Sequence, residues 1–191
     1  MRRFDIINYL IKLYNYKSYL EIGINRRINF NRIIIDHKDG VDPNVDCDFI
    51  MTSDKFFEIN KNTYDIIFID GLHQDAQVTR DINNSLKILN ENGIILLHDC
   101  NPKRAHHQRD EYLGSGVWNG TVWKAVVRLR STNPNLYISV VNTDTGIGII
   151  KKGSQDLINI KEEDINYQFF RKNKKMMLNL ISIEEFLNIF K

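Results

Sequence analysis

Two acids and two histidines follow two short apolar runs of this chain. Asp70 follows the first run, with His73 three residues later, and His98 and Asp99 follow the second run directly. Both runs are rich in β-branched residues, which is typical of buried strands in a parallel sheet. Because ligands bind at the carboxyl ends of such strands, we expect the four side chains to lie close together. Carboxylates bind hard cations and imidazoles exchange protons near neutral pH, so the group predicts metal binding or acid–base chemistry.

The segment between the two runs predicts the element that positions these side chains. The runs cover residues 66–69 and 94–97, and apolar residues recur between them at helical spacing. These residues are Val78, Ile82, Leu86 and Leu89. Asn92-Gly93 predicts the end of the helix, because glycine suits a left-handed cap. Residues 64–102 are therefore predicted to form a strand–helix–strand unit around which the chain is organised.

Length, charge and cysteine content limit the classes of protein. The 191 residues suffice for one domain, and we predict a single domain over residues 1–191. A net charge of +2 is too small to indicate a nucleic-acid or anionic-membrane partner by itself. Cys47 and Cys100 make no disulfide framework, which indicates a reducing compartment such as the cytoplasm. No apolar run approaches the roughly 18 residues of a membrane helix, and residues 1–20 lack the pattern of a signal peptide.

Three further strands are predicted before the central unit. They cover residues 18–24, which enter a turn at Gly23, residues 40–43, and residues 48–52. A first helix is predicted from an apolar face made of Phe4, Ile7, Ile11 and Tyr14. Two short helices are predicted, one marked by Phe30, Ile33 and Ile34 and the other covering residues 55–60.

After the central unit comes a loop, a helix, a hairpin and a helical tail. Residues 101–120 lack periodicity, and a loop of this length is often a lid or a binding loop. A helix follows, and residues 136–141 and 146–151 predict an antiparallel hairpin. In the tail, residues 163–191, Ser182 and Glu185 have the spacing of a capping box. The predicted fold class is α/β, with a Rossmann-like, doubly wound, mostly parallel sheet, a terminal antiparallel hairpin and C-terminal helices.

The motifs at the predicted strand ends resemble those of class I S-adenosylmethionine-dependent methyltransferases. In chain order they are Glu21-x-Gly23, Gly40-Val41-Asp42-Pro43, Thr52-Ser53-Asp54, Asp70-Gly71-Leu72-His73 and His98-Asp99-Cys100-Asn101-Pro102. No single motif is specific, and it is their order and spacing that carry the resemblance. The chain is most similar to small methyltransferases of microbial sugar and natural-product pathways. The resemblance implies methyl transfer to a hydroxyl of a small acceptor, a sugar or glycan precursor.

The resemblance also implies which residues bind S-adenosylmethionine. In the family, the turn after the first strand holds the methionine end of the cofactor. This turn corresponds to Glu21 and Gly23, and Asp70 is expected to contact the cofactor's amino group. The acid of the second strand, here Asp42, takes the ribose hydroxyls. Residues after the third strand contact the adenine, which implies Ser53 and Asp54. These roles are physically reasonable, since glycine lets backbone approach a ligand and a carboxylate can accept from both ribose hydroxyls.

A metal and a general base are implied at the next two strand ends. The resemblance implies magnesium held by Asp70 and Asp99, with His98 as a further candidate ligand. Relatives often carry another acid where His98 stands, and an imidazole there favours zinc or a transition metal. Macrolide-sugar relatives carry a histidine that matches His73, which implies a general-base role. His98 is the rival candidate for that catalytic role.

The loop of residues 101–120 supplies the candidate acceptor contacts. Arg104 and His106 are suited to an anionic group of the acceptor, and Trp118, next to Asn119, offers a flat wall for a sugar ring. The alternative for the basic residues is a solvated loop. We expect a small-molecule or glycan acceptor rather than nucleic acid or membrane, and a homo-oligomer stays open.

Three other functions compete with this interpretation. A nicotinamide-dependent oxidoreductase is disfavoured, because residues 21–25 lack the G-x-G-x-x-G fingerprint. A metal-using glycosyltransferase fits the acids but not the predicted strand order. A catalytically inactive binding protein of the same fold stays open, because fold does not determine function. The first turn has fewer glycines than is usual in the family, since Gly23 is followed by residues 24–28, INRRI.

Overall fold

The computed structural model describes residues 1–191. The protein folds into a mixed sheet of seven strands with helices on both faces. The strands are β1 (Ser18–Ile22), β2 (His37–Val41), β3 (Tyr64–Ile69), β4 (Leu89–Leu97), β5 (Leu136–Val141), β6 (Ile147–Lys152) and β7 (Leu180–Ile181). The α-helices are α1 (Arg3–Tyr14), α2 (Ser53–Ile59), α3 (Asp75–Ile88), α4 (Val122–Thr132), α5 (Tyr167–Leu178) and α6 (Ile183–Ile189). None of these helices has the length and apolarity to span a lipid bilayer.

The strand order confirms the predicted fold class. The spatial order is β2-β1-β3-β4-β6-β5-β7. The first four of these strands are parallel, whereas β6 runs antiparallel to both β4 and β5. The chain proceeds outward from β1 to β2 in one direction and from β3 to β4 in the other. The crevice where the direction reverses, between the carboxyl ends of β1 and β3, is where such sheets bind ligands.

Both faces of the sheet are buried, as the continuous apolar strands predict. In β3, Ile67 and Ile69 belong to one apolar cluster, and Ile66 and Phe68 belong to another on the opposite face. The first cluster includes residues of α3, α4 and α5, and the second includes residues of α1 and α6. The alternation of side chains along each strand thus fixes the two helical layers around the sheet.

The predicted strand at residues 48–52 is wrong. Only Phe49 pairs with the sheet, through one isolated parallel bridge to Val41. Thr52 already caps α2 by accepting from the Lys55 backbone N–H, so the chain must turn within three residues of the bridge. The fourth and fifth predicted strands are therefore β3 and β4.

The predicted helix end at Asn92-Gly93 is also wrong. Helix α3 ends at Ile88, and Leu89 pairs with Tyr64 as the first residue of β4. A Cβ atom on Gly93 would lie 2.7 Å from the Asp65 carbonyl oxygen. This glycine therefore permits close strand approach and does not serve as a left-handed cap.

Several boundaries differ from the predicted ones, although the elements exist. The first strand ends at Ile22, and Tyr14 of α1 is 40% exposed. The short helix near Ile34 is a single 3-10 turn over Phe30–Arg32, and Ile34 itself is 79% exposed. The hairpin and the capping box at Ser182 are confirmed. The short strand β7, which pairs with β5, was not predicted, because two residues carry no periodicity.

Candidate active site

The ends of β1 and β3 meet at the crevice. Gly23 has a φ of +88°, and a Cβ atom there would lie 2.3 Å from the Asp70 carbonyl oxygen. The Asp70 backbone N–H donates to the Ile22 carbonyl at 2.8 Å. The sequence suggested that this glycine admits a ligand, whereas in the structure the atoms that crowd it are those of residues 70–71. Glycine is required here because the two strand ends touch.

The structure brings the two acids and two histidines into one group, which we call the Asp–His cluster: Asp70, His73, His98 and Asp99. Asp70 Oδ1 lies 3.2 Å from His73 Nε2 and 3.0 Å from His98 Nδ1. Asp99 Oδ2 lies 3.4 Å from His73 Nδ1 and 3.3 Å from His98 Nδ1. No side chain of the cluster is more than 18% exposed. Each carboxylate therefore contacts both imidazoles in a largely dry environment.

His73 is held by the segment that precedes α4. Its Nδ1 lies 3.1 Å from the Trp118 carbonyl, and its ring stacks on the Trp118 indole with centroids 4.7 Å apart. The Thr121 backbone N–H donates to the His73 carbonyl at 2.8 Å. A carbonyl and an ionised carboxylate can only accept, so both nitrogens of His73 face acceptors, Nδ1 the Trp118 carbonyl and Nε2 the Asp70 carboxylate. The Asp70 carboxylate would stabilise a proton taken up at Nε2.

Asp99 is held in an unusual backbone conformation. Its φ is +61°, a region that few residues other than glycine adopt and that often marks functional sites. The buried Asn119 side chain donates to Asp99 Oδ1 at 2.8 Å, which leaves Oδ2 facing the imidazoles. The Oδ1 atom of Asn119 is buried without a partner. Asn119 thus orients an acid of the cluster, a contact that the sequence did not indicate.

His98 is in contact with the first helix. Arg3 Nη1 lies 2.7 Å from His98 Nε2, and the Thr145 hydroxyl lies 3.1 Å from the same atom. Sequence reasoning missed Arg3 and Thr145, because contacts across 95 and 47 residues leave no local pattern. His98 was a candidate metal ligand, but neighbouring side chains engage both of its nitrogens in the structure.

The acids and imidazoles of the cluster shift one another's pKa values. Burial opposes ionisation of Asp70, but the imidazoles of His98 and His73 hold its pKa far below the usual range. Burial also opposes a charge on His73, whereas Asp70 and Asp99 raise its pKa above 6.5. Burial likewise opposes a charge on His98, and the carboxylates of Asp70, Asp144 and Asp99 raise its pKa. The contact with Arg3 disfavours a second proton on His98. That proton would lie on Nε2, and two N–H groups cannot both point into the space between Arg3 Nη1 and His98 Nε2.

The donor set of the cluster fits a divalent cation. Asp70, His73 and Asp99 each offer a ligand atom within 4.8 Å of those of the other two. Carboxylate oxygens suit magnesium, and an imidazole nitrogen suits a transition metal or zinc. The sequence analysis proposed His98 as the further ligand, and His98 Nδ1 lies 3.0 Å from Asp70 Oδ1 and 3.3 Å from Asp99 Oδ2.

Asp42, which directly follows β2, is predicted to bind the cofactor's ribose, and the start of α2 is predicted to contact its adenine. Asp42 is buried, and its two oxygens accept from the backbone N–H groups of Asn25 at 3.0 Å and Asn44 at 2.8 Å. Each oxygen keeps a further lone pair, so the carboxylate can accept from the two hydroxyls of a ribose. Ser53 and Asp54 both accept from a glutamine of α3, at 3.1 Å.

Glu21 lies beneath this surface with its carboxylate already engaged. It is 1% exposed and accepts from the Tyr19 hydroxyl and from the Asn29 amide. Burial raises the pKa of Glu21 to about 7. These contacts make Glu21 a buried acid that supports the end of β1.

We expect Glu21→Gln to stabilise the protein at alkaline pH. The pKa of Glu21 is raised from 4.5 to about 7, so the stability linked to its proton is present below pH 4.5 and lost as the pH rises through 7. The neutral glutamine avoids that loss, and the variant should be more stable at pH 8.5 by about 3 kcal/mol. Urea unfolding at pH 4.5 and 8.5 measures the gain, with the exposed Glu91→Gln as the control. An equal gain at both pH values would contradict this account of Glu21.

The loop residues that are predicted to contact the methyl acceptor divide into two groups. Trp118 and Asn119 contact the Asp–His cluster directly, through His73 and Asp99. Arg104 and His106 are exposed on the loop. A 3-10 turn, Ala105–Gln108, is the only helical element of the loop.

A comparison with known families finds a match over part of the chain. Residues 21–100 match the model of a family described as "Methyltransferase domain". The matched segment begins at Glu21 and ends directly after the second acid of the cluster, so it contains the carboxyl ends of β1 to β4. No curated protein matches the chain.

Several solved structures with a similar fold are methyltransferases. An O-methyltransferase from Bacillus cereus in complex with S-adenosylhomocysteine is 12% identical, with 78% of this chain and 80% of that chain covered and a TM-score of 0.57. The O-methyltransferase TomG from Streptomyces achromogenes, in complex with S-adenosylmethionine, is 9% identical, with 80% of each chain covered and a TM-score of 0.57. The MycE methyltransferase of mycinamycin biosynthesis, in complex with magnesium, S-adenosylhomocysteine and mycinamycin VI, is 13% identical. That match covers 83% of this chain and 51% of MycE, with a TM-score of 0.51.

The sheet order and the crevice define a Rossmann-like methyltransferase fold. With the family match over residues 21–100, they support a class I S-adenosylmethionine-dependent methyltransferase.

Proposed function

We propose that the protein transfers a methyl group from S-adenosylmethionine to a hydroxyl of a small acceptor, a sugar or glycan precursor. The observation that carries this proposal is the Asp–His cluster, which joins a metal-competent donor set to an imidazole at the crevice. The similarity to structures of O-methyltransferases, and to MycE with its magnesium and mycinamycin VI, supports the hydroxyl acceptor and the metal.

The chain's own residues supply orientation and proton transfer. When bound, S-adenosylmethionine supplies an electrophilic methyl group and a divalent cation lowers the pKa of a coordinated hydroxyl. Asp70 and Asp99 would hold the cation. His73 accepts the hydroxyl proton at Nε2, while Trp118 fixes the plane of its ring. Holding the reacting groups in one geometry contributes further to the rate.

Asp42→Ala should weaken binding of S-adenosylhomocysteine about tenfold to a hundredfold. The substitution removes a charged acceptor for the ribose hydroxyls, and hydrogen bonds to charged groups contribute about 1.5–3 kcal/mol. Calorimetric titration of the folded variant measures the loss. The exposed Asp46→Ala, four residues away, removes the same charge and should bind normally. Unchanged affinity in Asp42→Ala would remove the ribose assignment.

The acceptor class is tested by a screen with methyl-labelled S-adenosylmethionine. Free sugars, nucleotide sugars and glycosylated natural products are offered, and products are analysed for labelled methyl ethers. We expect label on oxygen of at least one sugar. Label on nitrogen or carbon, or on non-sugar hydroxyls alone, would contradict the proposed acceptor. Cofactor binding without transfer to any acceptor would favour the inactive binding protein.

A further inference from the structure

Arg3 connects the first helix to the Asp–His cluster. It is the first residue of α1, and its backbone N–H donates to Asp144 Oδ2 at 2.9 Å. Its Nη1 lies 3.4 Å from both carboxylate oxygens of Asp144 and 2.7 Å from His98 Nε2. Asp144 thus anchors both the backbone and the side chain of Arg3, and the guanidinium is directed at His98.

This contact determines how the two nitrogens of His98 are used. A guanidinium has no acceptor, so Nε2 must accept and the ring proton lies on Nδ1. Nδ1 faces Asp70 Oδ1 at 3.0 Å and Asp99 Oδ2 at 3.3 Å. His98 therefore donates between the two carboxylates.

The turn between β5 and β6 is shaped around the same atom. Asp144 and Thr145 have φ values of +43° and +66°, and the second is an outlier for a β-branched residue. In this conformation the Thr145 hydroxyl lies 3.1 Å from His98 Nε2, and the Thr145 carbonyl accepts from the Asn101 backbone N–H. Strain of this kind persists only where the surroundings enforce it. The helix and the turn thus enclose Nε2 from two sides.

We propose that Arg3 is a positioning residue: it occupies Nε2 of His98 and so directs Nδ1–H between Asp70 and Asp99. His98 then sets the spacing of the two carboxylates, and His73 is left as the imidazole that faces the reacting groups. The tautomer of His98 and its dependence on Arg3 do not require the proposed function. The effect on turnover does rest on that function.

The test is nitrogen NMR of the imidazoles in the full chain, without cofactor or metal, at pH 7.5. In the wild type, His98 should carry a proton on Nδ1 and none on Nε2. Arg3→Met should lose this signature, Arg3→Lys should keep part of it, and Arg2→Met, which removes an exposed charge from the same helix end, should keep all of it. A proton on Nε2 in the wild type, or an unchanged His98 signal in Arg3→Met, would overturn the proposal. The position of the ring proton in wild-type His98 tests the proposal even if a variant fails to fold.

Turnover provides the second measurement. Substitutions of residues that orient metal ligands typically cost 10–100-fold in activity or metal affinity, and we expect a loss of that size in Arg3→Met with partial recovery in Arg3→Lys. A loss of turnover with an unchanged NMR signal would assign Arg3 a purely structural part and overturn the positioning role. If no acceptor is methylated by any variant, the proposed function fails while the NMR result still decides the role of Arg3.

Discussion

Replacing His73 with alanine should leave binding of S-adenosylhomocysteine intact and lower turnover roughly 10²–10⁴-fold, the usual range for general acid–base catalysis. The reason is the geometry of the ring. The Trp118 carbonyl engages Nδ1, which leaves Nε2, beside Asp70, to take the hydroxyl proton. Single-turnover methyl transfer measures the loss, and calorimetry measures the cofactor affinity.

Two histidine variants serve as comparisons. His37→Ala removes an exposed imidazole from β2, far from the crevice, and should leave turnover unchanged. His98→Ala should act mainly through affinity for metal or acceptor. Near-normal turnover in His73→Ala together with a loss in His98→Ala would show that the two roles are reversed.

The pH dependence of the wild type follows from the same assignment. Asp70 and Asp99 raise the pKa of His73 above 6.5, against the effect of burial. A base acts only when it is unprotonated, so the rate should rise with pH as His73 loses its proton. The rising limb should be absent in His73→Ala, whose residual rate does not depend on this imidazole.

Removal of divalent cations should abolish most of the activity. A metal that polarises the acceptor oxygen contributes several kcal/mol, so exhaustive chelation should lower turnover at least about a hundredfold. Asp99→Asn keeps the shape of the side chain but removes its charge, and it should raise the metal concentration needed for half-maximal rate. The exposed Asp156→Asn is the matched control. Restoring the activity with magnesium, manganese or zinc in turn identifies the preferred cation, and full activity after chelation would remove the metal from the account.

The convergence of the Asp–His cluster could be predicted because it depends on sheet geometry alone. Apolar runs without alternation predict parallel strands, and residues directly after neighbouring strands must then meet at one edge. In the structure Ile69 pairs with Leu97, so the residues that follow them, Asp70 and His98, stand side by side. Which residues meet at the strand ends can therefore be predicted from the pattern of apolar residues in the sequence.

The side chains that orient the cluster could not be predicted. Arg3 and Asn119 reach it from elements that are distant in sequence, and neither lies in a motif. The predictions of a strand at residues 48–52 and of a helix that continues to Asn92-Gly93 were wrong for a similar reason. In both cases pairing or capping partners outside the local pattern determined the boundary.

Calorimetric titration of the wild-type chain tests whether the crevice between β1 and β3 binds the methyl donor. S-adenosylhomocysteine and NAD are titrated separately under the same conditions. We expect one S-adenosylhomocysteine bound per chain, with affinity lowered by Asp42→Ala, and no heat from NAD. Binding of NAD in place of S-adenosylhomocysteine, or binding of neither, would contradict this expectation.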